Sequence, residues 1–207
     1  MHNKDEKIKS FFLKNVDRLF VINELFPAIG TYLKEQSKKD ILNIGIEKYN
    51  IYDREFFKND NINFYGLDKN DKPYLPKNWK HIYKIDLTSN LPKNIKKFDV
   101  IIDYGVIGWP GVNTYLNHEQ ISKYIKNISL MLEPHGLYFL KLDYKYTNTV
   151  NPQLYYSNKL ILEIVSHFFI PTDFYDLSKK KLIQNDDIYY DTFVFKLRSK
   201  SNLTEIE

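Results

Sequence analysis

The sequence predicts a doubly wound α/β fold, a three-layer arrangement in which a mostly parallel sheet is covered by helices and finished by antiparallel strands. Three observations predict it. Four apolar runs, ILNIG (41–45), INFYGLD (62–68), HIYKID (81–86) and FDVIIDYG (98–105), are continuous rather than alternating, as in strands buried on both faces. Each reaches a polar residue or glycine at the mouth of a loop, and in such sheets ligands bind outside the carboxyl ends of the strands. Helical patterns lie before, between and after the runs, the alternation that builds parallel crossovers.

The elements follow in order. Residues 6–36 carry apolar positions at helical spacing (Ile8, Phe11, Phe12, Val16, Leu19, Phe20) with an interruption near Pro27 and Gly30. Two helices are therefore expected ahead of the sheet, packed on it or lying over the ligand. After the first strand, IYDREFFK (51–58) is a short helix candidate. The second strand ends at Asp68, and DKNDKPYLPKNW (68–79), with its two prolines, is too broken for a full helix. In NHEQISKYIKNISLML (117–132), Ile121, Tyr124, Ile125, Ile128 and Leu132 form one stripe, with Asn117 as N-cap and Gln120 three residues on. EPHG ends this helix with Gly136 in a C-cap role, and LYFLKLDY (137–144) is the fifth strand. PQLYYSNKLILEIVSHFF (152–169) is the last long helix, with its proline in the first turn. Two further strands, within 171–178 and at YDTFVFKLR (190–198), are expected as an antiparallel pair at the sheet edge.

Composition bounds the function classes. A chain of 207 residues with 43% hydrophobic content buries one full core. With no cysteine, disulfides and cysteine metal sites are excluded, which fits a reducing compartment, and no cluster has metal-ligand spacing. The start, MHNKDEKIKS, is charged and leads into no signal-type run, and no stretch approaches the roughly 20 apolar residues of a membrane span; a cytoplasmic protein is expected. The net charge of +4 comes almost wholly from lysine, the arginines being Arg18, Arg54 and Arg198. Readers of bases and phosphates lean on arginine, so nucleic acid is the less favoured partner. The lysines, KKK at 179–181 included, travel with Asn, Ile, Tyr and Phe, all residues with A/T-rich codons, and read as solvated surface.

Over residues 40–198 the order of parts resembles the class I S-adenosylmethionine-dependent methyltransferases, which have a Rossmann-like fold with seven strands. In that family the first strand ends in an acidic-x-Gly-x-Gly-x-Gly loop and the second and third end in acids. A Phe-Asp pair opens the fourth, and a Leu-x-Pro-x-Gly turn precedes the fifth. NIGIEKY (43–49), Asp68, Asp86, FDVII (98–102) and LEPHG (132–136) stand in those places. The loop departs from the pattern: it keeps Gly45, but Asn43 replaces the acid, and Glu47 and Tyr49 stand where glycines would allow close backbone approach to a ligand. Gly-x-Glu-x-Tyr here, with GVIGW at 105–109, is similar to a divergent group of bacterial methyltransferase-like proteins often found near sugar-modifying genes. The implied organisation is an N-terminal helical segment or lid (1–39), a methyltransferase-like domain (40–198) and a disordered tail (199–207).

The resemblance implies S-adenosylmethionine as cofactor. Asp68, 23 residues past Gly45, would take both ribose hydroxyls in a bidentate grip, or else cap a helix or face solvent. Asp86, with Leu87 after it, would face the adenine edge or else cap its own turn. Asn43, Gly45 and Glu47 would surround the methionine end, Glu47 being equally readable as a solvated loop charge. Asp99, at the start of the fourth strand, reads as structural. Asp103 and Tyr104 close that strand on the ligand side. Methyl transfer is a direct displacement that chiefly needs alignment, and a base helps only a hydroxyl acceptor. Asp103 is the candidate base and a cofactor contact; the alternative is a carboxylate that holds the Gly105–Gly108 loop in shape. His118 is a candidate acid or base at a helix start, or a surface residue, and Trp109 and Tyr115 would line an acceptor pocket or pack. Lys141, with Asp143 beyond it, invites comparison with the Lys-Asp-Lys-Glu tetrad of RNA ribose methyltransferases, although Asp103 is one residue out of step.

Three readings result. The favoured one is methyl transfer to a small molecule or sugar, by O- or N-methylation. A second is a methyltransferase-fold scaffold without catalysis, motivated by the lost glycines; an RNA ribose or cap methyltransferase is a variant of the first. A third, a nicotinamide-dependent enzyme, is opposed by the absence of Gly-x-Gly-x-x-Gly.

Overall fold

The computed structural model describes residues 26–35, 37, 39–45, 62–70, 79–104, 106, 107, 116–147, 152–176 and 188–200. In chain order these form α1 (Phe26–Glu35), β1 (Asp40–Ile44), β2 (Asn63–Asp68), β3 (Trp79–Lys84), β4 (Phe98–Tyr104), α2 (His118–Met131), β5 (Leu132–Thr147), α3 (Pro152–Phe168), β6 (Phe169–Asp176) and β7 (Ile188–Ser199). The strands make one sheet in the order β3-β2-β1-β4-β5-β7-β6. Pairing is parallel from β3 through β5, while β7 runs antiparallel to both β5 and β6. The mostly parallel seven-stranded sheet with an antiparallel edge is the architecture read from the sequence.

The continuous apolar runs are explained by burial on both faces. On one face Ile41, Phe64, Val100 and Phe139 pack against Ile29 and Leu33 of α1. On the other, Leu42, Ile101 and Leu140 pack against Ile125 and Ile128 of α2 and Ile161 of α3. Asp99 is structural, as read: its Oδ2 accepts from the backbone N–H groups of Lys39 (2.9 Å) and Asp40 (3.0 Å), fixing the entry into β1.

Two local expectations are corrected. No helix break falls at Pro27 or Gly30, because both lie within α1. A proline in the first turn forfeits no intrahelical bond, and burying Ile29 and Leu33 outweighs the roughly 1 kcal/mol that an interior glycine costs. At its far end α2 passes into β5 without a glycine cap: Leu132 is already extended at φ −89°, ψ 137°, and the left-handed residue is His135 (φ 63°). Gly136 is needed for space instead, since a Cβ there would meet Leu132 Cγ at 2.8 Å, Glu133 O at 2.9 Å and Asp99 O at 3.0 Å. Gly136→Ala should therefore lower stability by about 1–3 kcal/mol in urea denaturation, the range for overpacking. The helix candidates before Phe26 and at 51–58 lie outside the described residues.

The start of α2 is as expected. Asn117 and Gln120 form a reciprocal capping box, each side chain accepting from the other's backbone N–H at 2.9 Å. The crossover from β3 to β4, residues 85–97, contains no helix.

Candidate functional site

Strand order reverses between β1 and β4, so the crevice at the carboxyl ends of these two strands is the place where such a sheet receives a ligand. Register levels the strand ends. Ile44 pairs with both Leu67 and Asp103, and Tyr104 pairs with Lys141, so Asp68, Gly45, Tyr104 and Lys141 stand in one row across four neighbouring strands. At Gly45 the chain leaves β1 at φ +73°, while its N–H donates to Leu67 O at 2.8 Å. Asp68 follows directly. Its Oδ1 accepts from the Asn70 N–H at 2.9 Å, and its carbonyl accepts from the Ile85 N–H at 2.9 Å, tying the end of β2 to the segment after β3. By strand alternation Asn43, Asp68 and Lys141 share the sheet face of Ile41, Phe64 and Phe139, the face that α1 covers, and all three are buried.

Asp86 occupies an exposed turn. Its Oδ1 accepts from both the N–H (2.9 Å) and the hydroxyl (2.7 Å) of Thr88, and its carbonyl accepts from the Ser89 N–H at 3.0 Å. The Thr88 hydroxyl, followed by the Thr88 N–H, holds its carboxyl below the usual range, so it is an anionic acceptor. The Leu87 side chain is buried in the core beside Tyr124 and Ile128, so only its main chain remains for a ligand. The turn is held from behind by Asn127 of α2, whose Nδ2 donates to Leu87 O (2.8 Å) and Ser89 O (2.7 Å).

Asp103 points the other way, toward α2. It is 1% exposed, and Oδ2 accepts from the hydroxyls of Tyr124 (2.8 Å) and Tyr138 (3.2 Å), while Oδ1 accepts from the N–H groups of Val106 (3.1 Å) and Ile107 (3.5 Å). Burial pushes its carboxyl up to about 6, against the pull of those bonds, and burial also drives both tyrosine hydroxyls well above their ordinary value. The sequence reads Asp103 as a candidate base and cofactor contact, with a loop-shaping carboxylate as the alternative, and its bonding bears on that choice. A general base must reach the proton it takes, and here both oxygens are turned inward onto protein donors. The geometry is that of the alternative, a carboxylate shaping the loop after β4. That loop closes on the first: a Cβ at Gly45 would lie 2.0 Å from Val106 Cγ2.

The remaining candidates are dispersed. His118 is exposed at the first position of α2. Tyr104 and Asp143 have their backbones in β4 and β5, their side chains lying outside what is described, as do Glu47, Tyr49, Trp109 and Tyr115 altogether. Lys141 and Asp103 do not form part of a tetrad, because Asp103 pairs with Leu140 and shares its face, whereas Lys141 lies on the opposite one. Tyr138, Val106 and Asn127 were not singled out from the sequence, and Tyr124 only as core. Asn127 had a signal: it lies three residues from Tyr124 and four from Met131, on the buried edge of the helix stripe. Among the described residues no group of three or more His, Asp or Glu side chains could hold a metal ion, and no helix is long and apolar enough to cross a membrane.

Strand order and direction, β3-β2-β1-β4-β5-β7-β6 with β7 antiparallel to its neighbours, are those of the Rossmann-like methyltransferase fold. Solved structures agree. A methyltransferase from Clostridium acetobutylicum superposes with a TM-score of 0.56 at 15% identity, covering 95% of this chain and 98% of its own. The N-methyltransferase NodS of Bradyrhizobium japonicum, solved with S-adenosyl-L-homocysteine, gives 0.52 at 16% identity over 87% and 90%. The 1,6-didemethyltoxoflavin-N1-methyltransferase of Burkholderia thailandensis, holding its substrate and S-adenosylhomocysteine, gives 0.53 at 13% over 96% and 89%. No protein-family model and no curated protein sequence matches the chain.

Proposed function

We propose that this protein is an S-adenosylmethionine-dependent methyltransferase acting on a small-molecule or sugar acceptor. The observation that carries the reading is the placement of Asp68 at the end of β2, level with the Gly45 turn and bonded through its carbonyl to the segment that bears Asp86. The chemistry of this donor set fits an adenosine. One carboxylate at the end of β2 and one in the turn after β3 are acceptors, and adenosine presents donors in the matching order, two ribose hydroxyls and then the exocyclic amine. For Asp86 the turn engages Oδ1, which leaves Oδ2 for the amine.

When bound, S-adenosylmethionine supplies an electrophilic methyl on a sulfonium. The protein's part is alignment: Asp68 and Asp86 hold the nucleoside, and Gly45 and Asn43 border the methionine side. Asp103 fixes the loop that carries Val106, while Tyr104 and His118 are the candidates on the acceptor side. The acceptor loses a proton as it gains the methyl, to His118 if the acceptor is a hydroxyl and to solvent if it is an amine. N- and O-methyltransferases both occur among the structural neighbours, which supports either acceptor atom. The sugar class rests on the likeness of GVIGW and Gly-x-Glu-x-Tyr to the sugar-associated group.

Isothermal titration with S-adenosylmethionine and S-adenosylhomocysteine tests the reading, with binding of both expected. Asp68→Ala should weaken that binding by about 1.5–3 kcal/mol in a protein that still folds, the scale of a hydrogen bond to a charged group. Unchanged affinity in the folded variant removes Asp68 from the ribose. A folded wild-type protein that binds neither ligand makes the non-catalytic scaffold the leading reading.

A further inference from the structure

Asn127 breaks the pattern of its helix. The buried face of α2 is otherwise Ile121, Tyr124, Ile125, Ile128 and Met131, and asparagine is both a poor helix former and costly to bury. At 2% exposure its amide is compensated by a specific arrangement, Nδ2 donating one hydrogen to Leu87 O and the other to Ser89 O. A second tie lies one turn earlier, where Lys123 Nζ donates to Asn90 Oδ1 at 2.6 Å. These contacts fall on the one crossover of the described residues that joins two parallel strands without a helix, so α2 ties down the turn at 86–90 in addition to that turn's own bonds between Asp86, Thr88 and Ser89. Local rules broken at compensated positions mark places where a fold serves a site.

We propose that Asn127 is a positioning residue for nucleobase selection. The inference rests on the methyltransferase reading above. By fixing the carbonyls of Leu87 and Ser89 inward, Asn127 sets the peptide planes of the turn and thereby the direction of the Asp86 carboxylate, whose own bonds to Thr88 lie within that turn. An anionic acceptor held in one direction takes the hydrogen bond of a 6-amino group and repels a 6-oxo group. A turn held by its own bonds alone, without the ties to α2, has more latitude and loses part of that distinction. Asn127 thus acts through Asp86, and the property it governs is adenine over hypoxanthine rather than methyl transfer itself.

The experiment compares S-adenosylhomocysteine with S-inosylhomocysteine, which differ at the 6-substituent and, with it, in whether N1 carries a hydrogen, by calorimetric titration of wild type, Asn127→Leu and Lys123→Met. Wild type is expected to prefer the adenine ligand. Asn127→Leu keeps the branching and the number of heavy atoms while removing the donor, and should lose about tenfold of that preference, the scale of one misplaced hydrogen bond. Lys123→Met changes a half-exposed side chain without touching the core and should erode the same ratio by a smaller factor, which keeps the test open if the leucine variant does not fold. General loosening of the protein would weaken both ligands equally and leave the ratio intact. Wild type that binds adenine ligand selectively, with variants that retain the full ratio, overturns the role of Asn127 alone. Wild type that binds neither ligand overturns the methyltransferase reading, and this inference with it.

Discussion

Asp103→Ala is expected to cost about 3–6 kcal/mol, read as a large drop in the urea midpoint at 25 °C. Four donors converge on this carboxylate, two tyrosine hydroxyls and two backbone N–H groups, and alanine strands all of them in a region that water reaches poorly. Each stranded donor costs about 1–3 kcal/mol, partly offset because the variant no longer buries a charge. Against a typical total of about 5–15 kcal/mol, that loss is large. Asp103→Asn should behave differently. Its carbonyl oxygen still accepts from Val106 and Ile107, and the tyrosine hydroxyls rotate to accept from its amide, so it should fold.

The same pair of proteins carries a pH test. Burial raises the Asp103 carboxyl from 3.8 to about 6, so between those values the folded protein holds a proton that the unfolded chain has released. The stability this group contributes is complete below about pH 4 and is lost as pH rises through about 6, by about 3 kcal/mol. In urea titrations from pH 4 to pH 7 the stability of wild type relative to Asp103→Asn should fall by that amount. A flat difference would mean that the carboxyl titrates normally and is solvated.

Gly45→Ala carries the second large effect. A side chain at φ +73° costs about 1–2 kcal/mol, and its Cβ would sit 2.0 Å from Val106 Cγ2. Valine is short and branched, so it cannot swing aside as the end of a lysine could, and overpacking adds about 1–3 kcal/mol. The variant should lose stability in urea and lose affinity for S-adenosylhomocysteine, because relieving the clash pushes the two ligand-facing loops apart. Adding Val106→Ala should recover the steric part and leave the backbone part, a coupling that a double-mutant cycle reads directly. Additive costs in that cycle would show that the loops move independently.

The fold was legible because its signals are carried by single strands and helices. Unbroken apolar runs announce burial on both faces, and the Asn117–Gln120 box marks a helix start within four residues of sequence. The site was legible only in part. Asp68 and Gly45 lie where strand ends put them, which local reading locates well. The role of Asp103 depends on Tyr124 and Tyr138, which lie 21 and 35 residues away and which periodicity presents only as core. Nor does spacing along the chain show that Asn127 reaches back 40 residues to Leu87. The tetrad comparison failed for a simpler reason: strand alternation sends Asp103 and Lys141 to opposite faces, and one residue out of step is one face out of place.

The last of the described strands in chain order lies inside the sheet. β7 is inserted between β5 and β6, and among the described residues β6 pairs with β7 alone. During synthesis β5 therefore leaves the ribosome with an open edge from Leu137 to Thr147, and β6 follows with no strand beside it. Open apolar edges recruit other chains, so the vulnerable interval in the life of this protein is the one before residue 188 emerges. Closure then comes in one step, as a single late strand joins two waiting ones, and this nascent chain stands to gain from a chaperone until that step is complete.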